Sequence, residues 1–144
     1  MDRTEIKTIL PHREPMLLVD EVVKIEETAY GKYRVTGDEF FLKGHFPERP
    51  IVPGVILCEI MAQMSCILLK EDLYGHTPLY RGLDHVKFKR SVEPGDLIEV
   101  KAKILQKKLK SYFVAAEASV GGEMCARAEM TFALVPNEMF LNQK

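Results

Sequence analysis

The stretch from Gly44 to Leu69, GHFPERPIVPGVILCEIMAQMSCILL, decides how the rest of the chain is arranged. From Pro53 onward nearly every residue is apolar, which predicts a helix that other parts of the fold must surround. Pro53 suits the first position of this helix, because a proline there loses no hydrogen bond. We therefore expect a core helix that runs from Pro53 to about Leu73.

Two polar side chains interrupt the apolar segment. Glu59 and Gln63 are four residues apart, so they share one face of the helix. A carboxyl among apolar residues must be paired, protonated or functional. His45 lies just upstream in a proline-rich loop, and no Ser, Thr, Asp or Asn precedes Gly54 to cap the helix. The segment thus offers a histidine, a buried acid and a helix start that a ligand oxygen can approach closely.

The composition is that of a globular protein. The 144 residues suffice for one domain with a core, and 47% of them are hydrophobic while 28% are charged. A net charge of −1 argues against a dedicated nucleic-acid binder. The run 51–69 approaches membrane-spanning length, but Pro53, Gly54, Glu59 and Gln63 interrupt it. Three cysteines without a C-x-x-C pair, and no signal peptide, fit a protein of the cytoplasm without a metal.

The rest of the chain predicts mostly strands. A short helix is expected over residues 4–10, with Thr4 as its cap. Gly121 and Gly122 predict a tight hairpin between the last two strands. One long apolar helix with about six strands indicates an α+β fold, an antiparallel sheet curled around the helix. The expected strands are 16–25, 30–35, 79–89, 97–107, 112–120 and 124–135.

The central segment resembles the GHFP-x-x-P-[IV]-x-PG-V…E-x-MAQ signature of the FabZ-type 3-hydroxyacyl-[acyl-carrier-protein] dehydratases. Residues 10–22, LPHREPMLLVDEV, look like the family's LPHRYPFLLVDRV. Residues 82–100, GLDHVKFKRSVEPGDLIEV, look like its G-[IL]-D-x-VKFKR-x-V-x-PGD run. The resemblance implies a single hotdog-fold domain over residues 1–144, with 136–144 as a tail outside the matched region.

The resemblance implies a reaction and roles for four residues. Water would be removed from a 3-hydroxyacyl thioester on acyl carrier protein, giving a trans-2-enoyl thioester in fatty-acid or related biosynthesis. His45 would be the base for the C2 proton, and Glu59 the acid for the departing hydroxyl. The N–H of Gly54 would hold the thioester oxygen, while Gln63 would support Glu59. No cofactor is implied.

The resemblance also implies an assembly and a docking surface. In the family the His and Glu of one site come from opposite subunits of a homodimer, and three dimers commonly form a hexamer. The basic cluster of Lys87, Lys89 and Arg90 would lie near the mouth where an acidic carrier protein docks. A second basic cluster, within residues 107–110, is interpreted as a solvated strand edge.

Other interpretations compete with this one. Taken alone, His45 would more often be structural than catalytic. A hotdog thioesterase would use an acid near the helix without this His–Glu pair, and a carrier-binding module would tolerate the loss of both residues. A dehydratase of a specialised lipid or polyketide pathway is a further alternative.

Three positions bear on the comparison with the family. Glu14 stands where the family commonly has Tyr or Phe, at a position associated with access to the acyl tunnel. His12 falls within a family motif but has no assigned chemical role. Glu59 replaces the Asp that related isomerising dehydratases usually carry, which favours dehydration without isomerisation.

Overall fold

Six strands form an antiparallel sheet in the computed structural model, which describes residues 1–45 and 48–141. Phe46 and Pro47 of the GHFP motif therefore lie outside the described residues. The strands are β1 (Glu21–Ile25), β2 (Thr28–Arg34), β3 (His76–Phe88), β4 (Leu97–Lys108), β5 (Ser111–Val120) and β6 (Glu123–Pro136). The helices are α1 (Arg3–Ile6), α2 (Gly54–Ser65) and α3 (Asn137–Leu141), with 3₁₀ turns at Phe40–Leu42 and Cys66–Leu69.

The order of the strands explains how the sheet encloses a helix. Across the sheet they run β1-β2-β4-β5-β6-β3, so β1 and β3 are the edges. Helix α2 contacts β2, β4, β5 and β6, which are the four central strands. Because side chains alternate between the two faces of a strand, one face of the sheet supplies the core. The predicted α+β architecture, with about six antiparallel strands around a central helix, is confirmed.

Helix α2 lies against β2 with almost no space between them. Met64 is fully buried, and a Cβ built on Gly31 of β2 would lie 2.4 Å from its Sδ. Only glycine allows so close an approach of backbone to side chain. The predicted core position of the helix is therefore correct. Within the described ranges, no helix is long and apolar enough to cross a bilayer.

The predicted bounds of this helix are wrong at both ends. Pro53 is the N-cap, with an extended ψ of 141°, so the helix begins one residue later than expected. The sequence predicts helix to about Leu73, whereas α2 ends at Ser65 and a 3₁₀ turn follows over Cys66–Leu69. Ser65 Oγ donates to the carbonyl of Met61 at 2.6 Å, and such bonds back to the preceding turn bend helices.

The N-terminal predictions also need correction. Helix α1 is capped by Asp2, whose Oδ1 accepts from the N–H of Glu5 at 2.9 Å, and not by Thr4. The first strand begins at Glu21 instead of residue 16. Residues 17–19 are buried but belong to no strand. An apolar run indicates burial and does not by itself show whether the residues pair in a sheet.

The expected C-terminal tail is partly structured. Strand β6 continues to Pro136, and α3 follows it directly. The N–H of Asn137 donates to the carbonyl of Gly75 at 2.9 Å, and its Oδ1 accepts from the hydroxyl of Thr77 at 2.6 Å. These bonds tie the start of α3 to the beginning of β3.

Candidate active site

Glu59 projects from the middle of α2 into a small cavity of about 60 Å³. Its side chain is 20% exposed, so the carboxyl is partly buried, whereas its apolar flanks predict complete burial. A carboxyl at this depth is accessible to a small polar group without being solvated on all sides. The cavity is lined by His12, Glu59, Ala62, Gln63, Cys66, Pro78, Tyr80 and Phe132.

Gln63 fixes the orientation of this carboxyl. Its Nε2 donates to Glu59 Oε2 at 2.8 Å and to the carbonyl of Met16 at 2.7 Å. Its Oε1 accepts from the N–H of Leu18 at 2.8 Å. The side chain is only 3% exposed, so these bonds satisfy an amide that would be costly to bury alone. The geometry is that of a supporting residue for Glu59.

His12 is the neighbour of Glu59 that sequence reasoning missed. Its Nε2 lies 3.3 Å from Glu59 Oε2, on a segment far from α2 in the chain. Its Nδ1 is buried and has no hydrogen-bond partner among the described residues. The family motif around His12 was the available signal, but the motif does not say which group the ring contacts.

His45 lies in the loop before α2, and it is not among the described residues that line the Glu59 cavity. Its ring is half-buried, and Nδ1 lies 3.0 Å from the backbone oxygen of Ile51. This contact makes Nδ1 the protonated nitrogen, because a carbonyl can only accept. Nε2 then carries the lone pair that a base requires.

Gly54 is the first residue of α2, and no side chain of the described residues caps that end of the helix. The ring of Phe88 packs over it, since a Cβ built on Gly54 would lie 2.9 Å from Phe88 Cζ. The N-terminal N–H groups and the helix dipole favour a negatively charged oxygen at such a position. The space left by the missing Cβ of Gly54 is taken by the Phe88 ring, and the oxygen-binding role of the Gly54 N–H stays a prediction.

Comparison with known proteins places the chain in a family. The profile of the FabA-like domain matches residues 10–129. The 3-hydroxyacyl-[acyl-carrier-protein] dehydratase FabZ of Caldicellulosiruptor saccharolyticus is 44% identical over 139 residues, which cover 92% of this chain and 98% of that protein. The chain belongs to the FabZ-type dehydratases. The FabZ of Clostridium perfringens is similarly 42% identical over 137 residues, covering 93% of this chain and 99% of its own.

Solved structures share the FabZ-type fold at much lower identity. The dehydratase heterocomplex ApeI:P from Xenorhabdus doucetiae superposes with a TM-score of 0.78 at 19% identity, over 96% of this chain and 95% of that one. The Escherichia coli PaaI protein, from the phenylacetic acid degradation operon, gives 0.62 at 14% identity, over 78% and 81%. These likenesses confirm the hotdog fold.

The three basic residues predicted for docking are not equivalent in this FabZ-type chain. Lys87 and Lys89 are exposed and two residues apart, so they share a face at the end of β3. Arg90 is engaged within the chain, because its Nη2 lies 3.7 Å from Asp96 Oδ2 and its Nη1 donates to the carbonyl of Val120 at 3.4 Å. The two lysines are the better candidates for contact with a partner.

Glu14, at the position where the FabZ family commonly has an aromatic residue, is held by two cations. Its carboxylate lies 2.9 Å from Arg3 Nη1 and 3.0 Å from Lys7 Nζ. The hydrogen bond from Lys7, with a smaller one from Arg3, lowers the pKa of Glu14 to about 2. The charged side chain therefore ties the loop after α1 back onto that helix.

The other reactive side chains around the cavity, Cys66 and Tyr80, line it without a proposed chemical role. Burial, and next the charge of Glu59, raises the pKa of the Cys66 thiol to about 12, so it is a poor nucleophile near neutral pH. Tyr80 donates its hydroxyl to the carbonyl of Cys58 at 2.9 Å, and burial raises the pKa of Tyr80. In the part of the chain that the structure describes, no three His, Cys, Asp or Glu side chains are grouped to hold a metal.

Proposed function

We propose that this chain removes water from 3-hydroxyacyl thioesters on acyl carrier protein, giving trans-2-enoyl thioesters in cytoplasmic fatty-acid synthesis. The proposal rests on 44% identity with a FabZ-type dehydratase over 92% of the chain. The FabA-like domain profile matches residues 10–129, a range that includes His45, Gly54 and Glu59. Residues 1–144 would act as a single dehydratase domain.

The geometry suggests how each group would take part. Nε2 of His45 takes the C2 proton, and the electrons of that C–H bond form the C2–C3 double bond. The C3–O bond breaks as Glu59 gives a proton to the hydroxyl, which leaves as water. The N–H of Gly54 stabilises the negative charge that develops on the thioester oxygen. This chemistry uses only side chains and backbone of the protein.

We further propose that each site is shared by two chains of a homodimer. A cavity of about 60 Å³ is too small for an acyl chain, which suggests that something else completes the site. Val55 lies one helical turn before Glu59 on the same face of α2 and is 75% exposed. A partner seated on this face would cover Val55 and bring its own His45 to Glu59.

Strand β3 supplies a surface for this partner. It is a 13-residue edge strand, and an uncovered edge of that length invites pairing with another chain. Pairing of β3 with β3 of a second copy would continue the sheet about a two-fold axis. A hexamer of three such dimers is the assembly expected of the family. The apolar side chains exposed along β3 are Leu79, Tyr80, Leu83 and Phe88.

One assay separates this function from its rivals. The protein is incubated with a 3-hydroxyacyl thioester of acyl carrier protein, while enoyl absorbance and free thiol are followed together. A dehydratase raises the enoyl absorbance without releasing thiol. Thiol release without enoyl product would indicate a thioesterase, and neither signal would indicate a binding module. Repeating the assay across chain lengths identifies the preferred substrate.

Docking of the carrier protein is the remaining part of the proposal. Lys87 and Lys89 present two adjacent positive charges on a protein whose net charge is only −1, so the attraction they exert is local. Lys87 also lines a groove of about 870 Å³ on the exposed sheet. The charged side chains that share this groove are Lys101, Lys103, Arg127, Glu117 and Glu129, and His85 also lines it.

Replacing Lys87 and Lys89 with Glu is expected to raise KM for the carrier-bound substrate roughly threefold to tenfold, because an acidic partner loses its electrostatic attraction. Turnover of a small thioester mimic should not change. The wild-type advantage on carrier substrate should shrink as salt is added, since exposed charges are screened. Steady-state kinetics on both substrates measure these effects.

The matched control makes the same charge change elsewhere. Lys108 and Lys110 are exposed at the hairpin between β4 and β5, and their replacement with Glu should leave both substrates unaffected. Equal losses on carrier and mimic in the first variant would show that Lys87 and Lys89 support the fold or the active site instead.

A further inference from the structure

We propose that His12 is a positioning residue that, together with Gln63, places the acid proton of Glu59 on Oε1. The inference rests on the proposed function of Glu59 as the acid, and it adds a residue and an atom to that function.

Two side-chain nitrogens converge on one oxygen of Glu59. Gln63 Nε2 donates to Oε2 at 2.8 Å, and His12 Nε2 lies 3.3 Å from the same atom. None of the hydrogen bonds or ion pairs of the described residues uses Oε1. In a neutral carboxyl the oxygen that accepts two N–H groups is the carbonyl oxygen, so the proton belongs on the other one. Oε1 is therefore the atom that can donate to a substrate hydroxyl.

The burial of His12 Nδ1 indicates which ring nitrogen of His12 carries the hydrogen. This nitrogen is buried and lacks a partner within the described residues, so a hydrogen on it would be a buried donor without an acceptor. The geometry therefore favours the tautomer with its hydrogen on Nε2, where Oε2 of Glu59 can accept it. In this state His12 donates a hydrogen bond to the acid and does not take a proton from it.

The loop that carries His12 is held firmly enough to position a ring. The Arg13 guanidinium donates to the carbonyl of Leu10 at 2.9 Å, of His12 at 2.7 Å and of Lys7 at 3.2 Å. Glu14, two residues after His12, is anchored to Arg3 in α1 and to Lys7 at its end. A residue on such a loop keeps its contact with a helix from a different part of the chain.

The position of His12 beside Oε2 predicts at which stage of the reaction it affects the rate. As Glu59 gives the Oε1 proton to the departing hydroxyl, negative charge develops on the carboxylate. The N–H groups of His12 and Gln63 stabilise that charge on Oε2 more strongly than they stabilise the neutral acid. An interaction that strengthens in the transition state affects kcat more than KM.

The test compares two replacements of His12. His12→Leu removes the donor, and we expect kcat to fall roughly tenfold or more while KM stays within about twofold. His12→Gln keeps an N–H donor near the position of Nε2 and should recover most of the loss. His76→Leu is the matched control, because His76 is the first residue of β3, bonds the carbonyl of Tyr74 and is not among the residues that line the cavity. Thermal unfolding shows whether each variant is folded, and His12→Ala replaces His12→Leu if the latter unfolds.

A double-mutant cycle shows whether His12 acts through Glu59. In a Glu59→Gln background the acid proton is gone, so His12→Leu should cause no further loss of kcat. The same loss in both backgrounds, unchanged kcat in His12→Leu, or no recovery in His12→Gln would each overturn the inference. If the wild-type protein forms no enoyl product, the proposed function itself has failed, and that result is visible before any variant is made.

Discussion

Replacing His45 with Ala, or Glu59 with Gln, is expected to lower kcat by about 100-fold or more while the protein stays folded, which is the usual scale for a general base or acid. His45→Ala removes the nitrogen that would take the C2 proton. Glu59→Gln keeps an oxygen that can accept from Gln63 and His12, but it removes the proton that would go to the hydroxyl. Enoyl formation from a 3-hydroxyacyl thioester measures both effects.

Stability measurements separate catalysis from folding in these variants. Glu59→Gln should unfold at the same temperature as the wild type or higher, because it replaces a partly buried ionisable group with an amide that stays neutral. His76→Ala provides a control with the same loss of an imidazole outside the cavity. Near-wild-type turnover in either His45→Ala or Glu59→Gln would reject the assignment of that residue.

Mixing two inactive proteins is expected to restore activity. If one site takes His45 from one chain and Glu59 from its partner, a dimer of His45→Ala and Glu59→Ala chains has one site with both lesions and one site with neither. Random exchange makes about half of the dimers mixed, so activity should approach roughly one quarter of wild type, given the near-complete loss expected of each lesion. Enoyl formation after subunit exchange measures the recovery.

Two controls make this experiment decisive. Each inactive variant, taken through the same exchange alone, should remain inactive. Differently tagged chains, captured through one tag and detected through the other, verify that mixed dimers have formed. If mixed dimers form and activity does not return, each chain must hold its own pair of residues, and the shared site is rejected.

The later strands of the fold were predictable because their signals are local. Gly121 and Gly122 predict a hairpin, and both have positive φ angles, +57° and +84°, in the turn between β5 and β6. The predicted starts of β4, β5 and β6 are correct to within one residue. Alternating side chains and turn glycines depend only on neighbours in the chain, so the sequence contains the information.

The ends of α2 and the start of β1 were less predictable because they depend on distant contacts. Residues 17–19 are predicted as strand, but they are buried in the core outside any strand, and Leu18 bonds Gln63. The helix pattern continues past Ser65 in the sequence, yet the chain tightens there into a 3₁₀ turn. Propensity alone cannot detect either event, since tertiary packing overrides it.

In the candidate site, too, contacts between neighbouring residues were predictable and contacts between distant segments were not. The spacing of Glu59 and Gln63 predicts that they share a helical face, and the structure joins them by a hydrogen bond of 2.8 Å. The contact between His12 and Glu59 has no local signal, because only the folded chain brings the two segments together. The role of His45 toward Glu59 remains a prediction that the mixing experiment tests.

The hydrogen bonds of Gln63 determine at which stage of folding the acid Glu59 becomes oriented for activity. They join α2 to Met16 and Leu18, which lie 47 and 45 residues earlier in the chain. Closing a loop of that length costs entropy that a helix formed from neighbouring residues does not pay, so α2 can form before its acid is oriented. A chain in which α2 has formed but Met16 and Leu18 have not yet reached Gln63 would therefore lack an oriented acid. Brief detachment of residues 10–18 from the native protein would likewise abolish catalytic activity while the sheet stayed intact.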